Sequence, residues 1–340
     1  MTLTLDRLDA ALAGLPRVAL GQWPTPVVPL RRLGAALGLD LWLKRDDCSG
    51  LALGGNKARK LEFVLGDAMA RGAKTLVTAG PLTSNHTMMT SAAARRLGLD
   101  VHVILGGNAP VHPTGNLALT HLFGGHVHFT PMNTADPSRE DLAASRALSE
   151  QLLADTGGFW IPPGATMPSS VPGYAACIQE VVAQSGGDFP FDDVVVAYGT
   201  GSTSAGLYAG LALLNAAATL HAVAVSSRAG MDRFSAASPA TLAQAAVDRY
   251  GWPVALEDTR ARASWERPVD EPGYGVPTPA AATALQRFAQ EEGYLLDPTY
   301  TAKAAAAMFG MASEGRLRRG ARVLFIHTGG LSTTAAGSPH

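Results

Sequence analysis

Val194-Val195-Val196-Ala197-Tyr198-Gly199-Thr200-Gly201-Ser202-Thr203-Ser204-Ala205-Gly206 is the stretch that decides the fold. Its first five residues are apolar without polar alternation, the pattern of a strand buried on both faces. Glycines then turn the chain, and small residues open a helix predicted over 205–217. A strand feeding a helix through such a turn is the unit of a parallel sheet. Backbone N–H groups at a helix start can cradle an anion. The hydroxyls of Thr200, Ser202, Thr203 and Ser204 add donors that a dinucleotide loop does not need. Position 204 is serine, so Gly-x-Gly-x-x-Gly is not met, and no lysine follows to make a Walker A loop. The loop suits a monophosphate better than a pyrophosphate; a plain strand-helix turn is the other reading.

Outward from this unit the alternation continues. Downstream come a strand His221–Val225, helices near Pro279–Glu292 and Thr299–Glu314, and a strand Val323–His327. Upstream, the helix Tyr174–Gln184 follows a Pro/Gly break at 162–173. Before that break stand strands at Thr75–Ala79, Val101–Leu105, His126–Phe129 and Phe159–Ile161. Helices through Ala92–Leu97, Leu117–Phe123 and Arg139–Thr156 lie between them. The first segment holds prolines 24, 26 and 29, a short helix Leu30–Leu37 closed by Gly38, and a strand from Leu41 toward Asp47. The chain reads as two α/β lobes.

Between the first strand and the first long helix lies Gly54-Gly55-Asn56-Lys57-Ala58-Arg59-Lys60-Leu61-Glu62-Phe63. Leu61, Val64, Leu65, Ala68 and Met69 follow helical spacing. Lys57 therefore falls in a helix's first turn, where the dipole disfavours a cation and depresses its pKa. A nucleophilic lysine needs a neutral amine. The competing reading is a surface lysine in a basic cluster with Arg59 and Lys60.

The bulk numbers exclude several classes. The chain has 340 residues, 47% hydrophobic and 16% charged, and a net charge of −1. That is ample for a core and offers no electrostatic pull on nucleic acid or an anionic membrane. No apolar window is long enough to cross a bilayer. The N-terminus shows no signal-peptide pattern, so a cytoplasmic location is expected. The two cysteines, Cys48 and Cys177, follow no metal-ligand spacing and suggest a reducing compartment. No metal is expected, and Cys48 reads as a buried small hydrophobe.

Two further junctions carry polar groups. Thr83-Ser84-Asn85-His86 sits where a strand passes into a helix, and its serine or asparagine reads equally as an N-cap or as a ligand contact. His327-Thr328-Gly329-Gly330 ends the last strand; His327 reads as a core histidine and Thr328 as facing the cleft. A candidate activated lysine with a monophosphate loop in an α/β cleft points to pyridoxal 5′-phosphate.

Over about residues 15–332 the chain resembles the fold-type II pyridoxal-phosphate enzymes, in the branch of D-cysteine desulfhydrase and 1-aminocyclopropane-1-carboxylate deaminase. The resemblance rests on Lys44-Arg45-Asp46-Asp47, Leu51–Phe63, Ser84-Asn85-His86, Gly199–Thr203, Tyr274-Gly-Val-Pro, Asp297-Pro-Thr-Tyr-Thr301 and His327–Gly330. It implies a tryptophan-synthase-β-like fold with two parallel-sheet α/β domains and the cofactor between them. Residues 1–59 plus 166–340 would form the large domain and 60–165 an inserted smaller one. It further implies that Lys57 binds the cofactor covalently and that Asn85 bonds its ring hydroxyl. Thr200, Gly201, Ser202 and Thr203 would hold the phosphate, Tyr300 would stack on the ring, and Thr328 would face the ring nitrogen. Ser84 and Tyr274 are expected on the substrate side, with Ser84, Tyr274 and Tyr300 joining Lys57 in catalysis, and a homodimer is expected.

Deaminases of this family carry Gln at the position of His86, Glu at Thr301 and Leu at Thr328, so these three residues resemble the desulfhydrase branch. The reading that follows is β-elimination on a small amino acid, D-cysteine first, giving pyruvate, sulfide and ammonia. Ring-opening deamination of an aminocyclopropane acid and desulfonation of cysteate are the alternatives within the family. A nicotinamide-dependent dehydrogenase with Arg228 on a 2′-phosphate, or a non-catalytic binder, is the alternative outside it. Thr83, Met88 and Met89 depart from the family pattern beside Ser84 and His86, and are expected to reshape the substrate pocket.

Overall fold

Strands that are apolar on both faces need helical cover on both faces, and the chain supplies it around two sheets. The computed structural model describes residues 2–132, 138–226, 238–266 and 273–330. The larger sheet contains β1 (Val27–Pro29), β2 (Asp40–Lys44), β7 (Asp193–Tyr198), β8 (Thr219–Ala224), β9 (Arg262–Glu266) and β10 (Arg322–Ile326), in the order β1-β2-β10-β7-β8-β9. All neighbours are parallel except the edge strand β1, which runs antiparallel to β2. The smaller sheet contains β3 (Thr75–Pro81), β4 (Asp100–Gly106), β5 (His126–Thr130) and β6 (Phe159–Ile161), ordered β5-β4-β3-β6 and wholly parallel.

The helices are α1 (Thr2–Leu12), α2 (Arg31–Leu37), α3 (Lys57–Ala70), α4 (Asn85–Leu97), α5 (Gly115–Leu122), α6 (Arg139–Thr156), α7 (Val171–Gln184), α8 (Ser202–Leu213), α9 (Pro239–Tyr250), α10 (Pro279–Arg287) and α11 (Thr301–Ser313). Strand alternation divides the core of the larger sheet. Val194, Val196, Ala222 and Ile326 pack with α7, α8 and α9 on one face. Val195, Ala197, Val223 and Phe325 pack with α10 and α11 on the other. In the smaller sheet Leu76, Val101 and Val103 pack against α3 and α4, while Val77, Ala79 and Ile104 meet Leu152 of α6. Gly206 of α8 lets α7 approach, since a Cβ there would stand 2.6 Å from the Val171 carbonyl oxygen.

Compared with the sequence reading, α6 and β6 match residue for residue, and several elements extend further: α4 begins at Asn85 and α8 at Ser202. The helices α1 and α9 and the edge strand β9 had no counterpart in that reading. Cys48 is exposed, not buried. Ser227 and Arg228 lie outside the described residues. Among the described residues no helix is long and apolar enough to cross a membrane.

Candidate active site

The glycine turn before α3 is stitched to the ends of two adjacent strands. Gly55 N donates to Asp46 O at 2.9 Å, beyond β2, and Asn56 N donates to Thr328 O at 3.0 Å, beyond β10. Gly55 has φ +122°, and a Cβ there would lie 2.9 Å from the Thr328 carbonyl oxygen; only glycine suits such a backbone. This turn brings Lys57 to the carboxyl edge of the larger sheet, where ligands of open α/β sheets bind.

Lys57 lines a cavity open to solvent, with about 980 Å³ of empty space when the solvent at its mouth is included. Its Nζ donates to Asn56 Oδ1 at 3.0 Å, and Asn56 Nδ2 donates to Thr203 Oγ1 at 2.9 Å, which ties the lysine to the glycine loop. Burial lowers the Lys57 pKa to about 8, against the upward pull of Lys60 and Asp297. Burial is the leading cause of this lowering. Lys57 is partly buried and Arg59 and Lys60 are buried, so the three residues are no solvated cluster.

Arg59 is clamped between two carboxylates. Its Nε and Nη2 donate to the Asp46 oxygens at 2.8 Å, and Nη1 and Nη2 donate to the Glu180 oxygens at 2.8 Å. Tyr174 OH donates to Asp46 Oδ2 at 2.7 Å, and Lys44 Nζ donates to Glu180 Oε2 at 2.9 Å. This bidentate network fixes the first turn of α3, and with it Lys57.

The cavity brings together Lys57, Ser84, Asn85, His86, Thr200, Gly201, Ser202, Thr203, Tyr274, Tyr300 and Thr328. Thr83 and Met88 do not line it. Thr83 is exposed; Met88 and Met89, 1% exposed each, pack in the core of the smaller sheet. Both methionines lie about one helical turn past Asn85 and point into that core, so neither lines the cavity directly. Thr301, which marks the desulfhydrase branch in sequence, lies away from the cavity. It is buried, its Oγ1 donates to Asp297 Oδ1 at 2.7 Å, and it lies outside the cavity lining.

His86 is held as a buttress. Thr78 Oγ1 donates to Ile161 O at 2.8 Å and so accepts from His86 Nε2 at 2.8 Å. Burial, then the charges of Lys57 and Lys60, hold its pKa well below the usual histidine range. His327 is a core histidine whose Nε2 donates to Leu295 O at 2.7 Å. Ser84 caps α4 by accepting from Thr87 N at 3.2 Å.

Two residues that the sequence reading left out organise the site. Lys60 lines the cavity, and its Nζ donates to Gly164 O and to Ser202 Oγ, both at 2.9 Å. Asp297, fully buried, accepts from the backbone N–H groups of Thr299, Tyr300 and Thr301 at 3.0, 2.9 and 2.8 Å. It thereby starts α11 and sets Tyr300. The Tyr300 ring lies against the glycine loop, 3.2 Å from where a Cβ on Gly199 would be, and its hydroxyl is hydrogen-bonded to that of Tyr274.

The residues present fit a phosphate-bearing aldehyde. Gly201, at φ +97°, leads into α8, whose first amides have no partner within the helix. Ser202 Oγ donates to Gly164 O at 3.2 Å and accepts from Lys60, so its backbone N–H is what it offers an anion. Ser204 Oγ is buried with no hydrogen-bond partner among the described residues. Two lysines and no acidic side chain are found among the described residues of the cavity wall, as an anion requires.

Residues 18–329 match the family model for pyridoxal-phosphate dependent enzymes. The chain is 36% identical over 329 residues to a provisionally named 1-aminocyclopropane-1-carboxylate deaminase of Pyrococcus horikoshii, covering 96% of each. It is 35% identical over 337 residues to the D-cysteine desulfhydrase of Yersinia pestis, covering 98% of this chain and 99% of the relative. A solved structure described as an ACC deaminase homologue superposes with a TM-score of 0.83 at 34% identity, over 96% of both chains.

Proposed function

The chain belongs to the pyridoxal-phosphate dependent enzymes, and from that premise we propose that it is a lyase eliminating the β-substituent of a small amino acid, with D-cysteine as substrate and pyruvate, sulfide and ammonia as products. The observation that carries this reading is Lys57 in a cavity, with its amine lowered to about 8, opposite a hydroxyl-rich helix start. When bound, the cofactor supplies an electron sink for the pair left at the substrate's α-carbon. The amides of the α8 start, Thr203 and Lys60 would hold its phosphate. Lys57 would be its covalent anchor, and its amine, neutral when free, would accept the substrate's α-proton.

Tyr274 and Tyr300 stay protonated at neutral pH, because burial raises the Tyr274 pKa to about 12 and that of Tyr300 well above the usual tyrosine range. Of the two hydrogen-bonded hydroxyls one proton is shared, which leaves the other to donate to the departing sulfur. Ser84 and the first amides of α4 receive the substrate carboxylate. Thr328, a hydroxyl and not a carboxylate, offers the ring nitrogen no counter-charge. That suits expulsion of a β-leaving group over long-lived carbanion chemistry. Hydrolysis of the released 2-aminoacrylate yields the keto acid and ammonia.

The test is absorption spectroscopy of the purified protein with D-cysteine, L-cysteine and aminocyclopropane carboxylate in turn. A borohydride-fixed label on Lys57, with sulfide released from D-cysteine, is the expected result. Ammonia from aminocyclopropane carboxylate without sulfide from D-cysteine would replace the substrate. Turnover by Lys57→Ala at the wild-type rate would sink the mechanism, since acid-base catalysis alone is worth about 10²–10⁴-fold.

A further inference from the structure

Asn116, in the first turn of α5, is 3% exposed and lies 31 residues from Asn85 in sequence. Its amide nitrogen makes two hydrogen bonds, to the Thr83 carbonyl oxygen at 2.8 Å and to Asn85 Oδ1 at 2.9 Å. The first fixes the second. A backbone carbonyl only accepts, so the end of Asn116 beside Thr83 is its NH₂. The end of the Asn85 amide that meets this NH₂ must then be its oxygen. Turning either amide over would set oxygen against oxygen or NH₂ against NH₂. Asn116 Oδ1 has no partner among the described residues although it is buried, an uncompensated polar group. The side chain therefore does not serve its own satisfaction.

We propose that Asn116 is a positioning residue that sets the Asn85 amide with its NH₂ end toward the bound cofactor. This rests on the reading that Asn85 meets the cofactor's ring oxygen. A donor there stabilises negative charge on that oxygen and makes the neighbouring nitrogen, contributed by Lys57, release its proton at lower pH. With the amide reversed, an oxygen would face an oxygen.

The experiment is a pH titration of the visible absorption of the cofactor-loaded protein, with cofactor affinity measured alongside. Asn116→Asp replaces the donor to Asn85 by an acceptor and inverts the Asn85 amide. Its titration midpoint should rise by about one pH unit, the scale of one hydrogen bond to a charged group, and cofactor affinity should fall about tenfold. Asn116→Ala, which removes this donor without putting an acceptor in its place, should shift in the same direction but by less. On an Asn85→Ala background neither substitution should move the midpoint, a readout that a merely structural asparagine would not give. Should Asn116→Asp not fold, Asn116→Ala decides. A wild-type midpoint in the foldable variant, or an equal shift without Asn85, overturns the proposal. Failure of the functional reading itself would look different: the wild-type protein would show no lysine-linked absorption to titrate.

Discussion

Replacing Arg59 by methionine removes the centre of the buried network under Lys57. Five hydrogen bonds go with it: two to Asp46, two to Glu180 and one to Thr25 Oγ1 at 3.2 Å. Asp46 is 0% exposed. Burial alone would push its carboxyl up, and Arg59, then Lys44 and Tyr174, override that and hold it below the usual range. Breaking a buried pair costs about 3–5 kcal/mol. Lys44 and Tyr174 survive in the variant, so a loss of about 3 kcal/mol is expected at pH 7, a large part of a total near 5–15 kcal/mol.

The sign with pH follows from Asp46. In the native protein its lowered pKa adds stability above the unfolded value of about 3.9, and that stability is lost as pH falls through the folded pKa. Without Arg59 burial dominates, the folded pKa rises, and the same group costs stability increasingly as pH rises. Denaturant unfolding at pH 7, 5.5 and 4 should therefore show the gap between variant and native protein narrowing toward acid, with an unchanged slope. A loss under 1 kcal/mol at pH 7, or one equal at pH 4 and 7, would refute the reasoning. Arg59→Lys should recover only part, because one ammonium cannot fork to both carboxylates.

Two further outcomes are expected. The rate at which the cofactor-free protein takes up pyridoxal phosphate covalently should climb with pH and level off above about 8, where the Lys57 amine is neutral; a flat profile from pH 6 to 9 would contradict this. Gly55→Ala should lower cofactor content sharply through the 2.9 Å approach to Thr328 O, whereas Gly72→Ala, also at positive φ but with nothing within 4 Å, should change only stability, by about 1–2 kcal/mol; equal cofactor loss in both would remove the turn's special role.

The sequence reading found the repeating strand-helix pattern because buried strands such as Val194–Tyr198 carry it in their own composition. It also located α6, whose Ser138 and Asp141 form a capping box. It missed β9 because Arg262–Glu266 is an edge strand with charged ends and little apolar content. It misjudged Arg59 and Lys60 because their partners lie far off in sequence. Glu180 is 121 residues from Arg59, and Gly164 and Ser202 are 104 and 142 residues from Lys60. A basic run looks solvated until something distant supplies acceptors. Met88 was placed in the pocket by its departure from the family pattern, but its side chain packs in the core of the smaller sheet, which only the fold reveals. Asp297 was visible inside a recognised motif, yet its service as the anchor of three backbone amides needed the fold.

The place of β10 between β2 and β7 bears on how this protein is made. The last of the described strands fills the middle of the larger sheet, and the Thr328 carbonyl just after it fixes the turn that carries Lys57. Until β10 has emerged from the ribosome, β2 and β7 have no shared neighbour, and the lysine has no seat. The halves must wait for one another, a long-range closure of the kind that folds slowly and exposes unpaired edges meanwhile. Capture of the cofactor then waits on this strand, because a chain cut before it lacks the segment that sets the lysine in place.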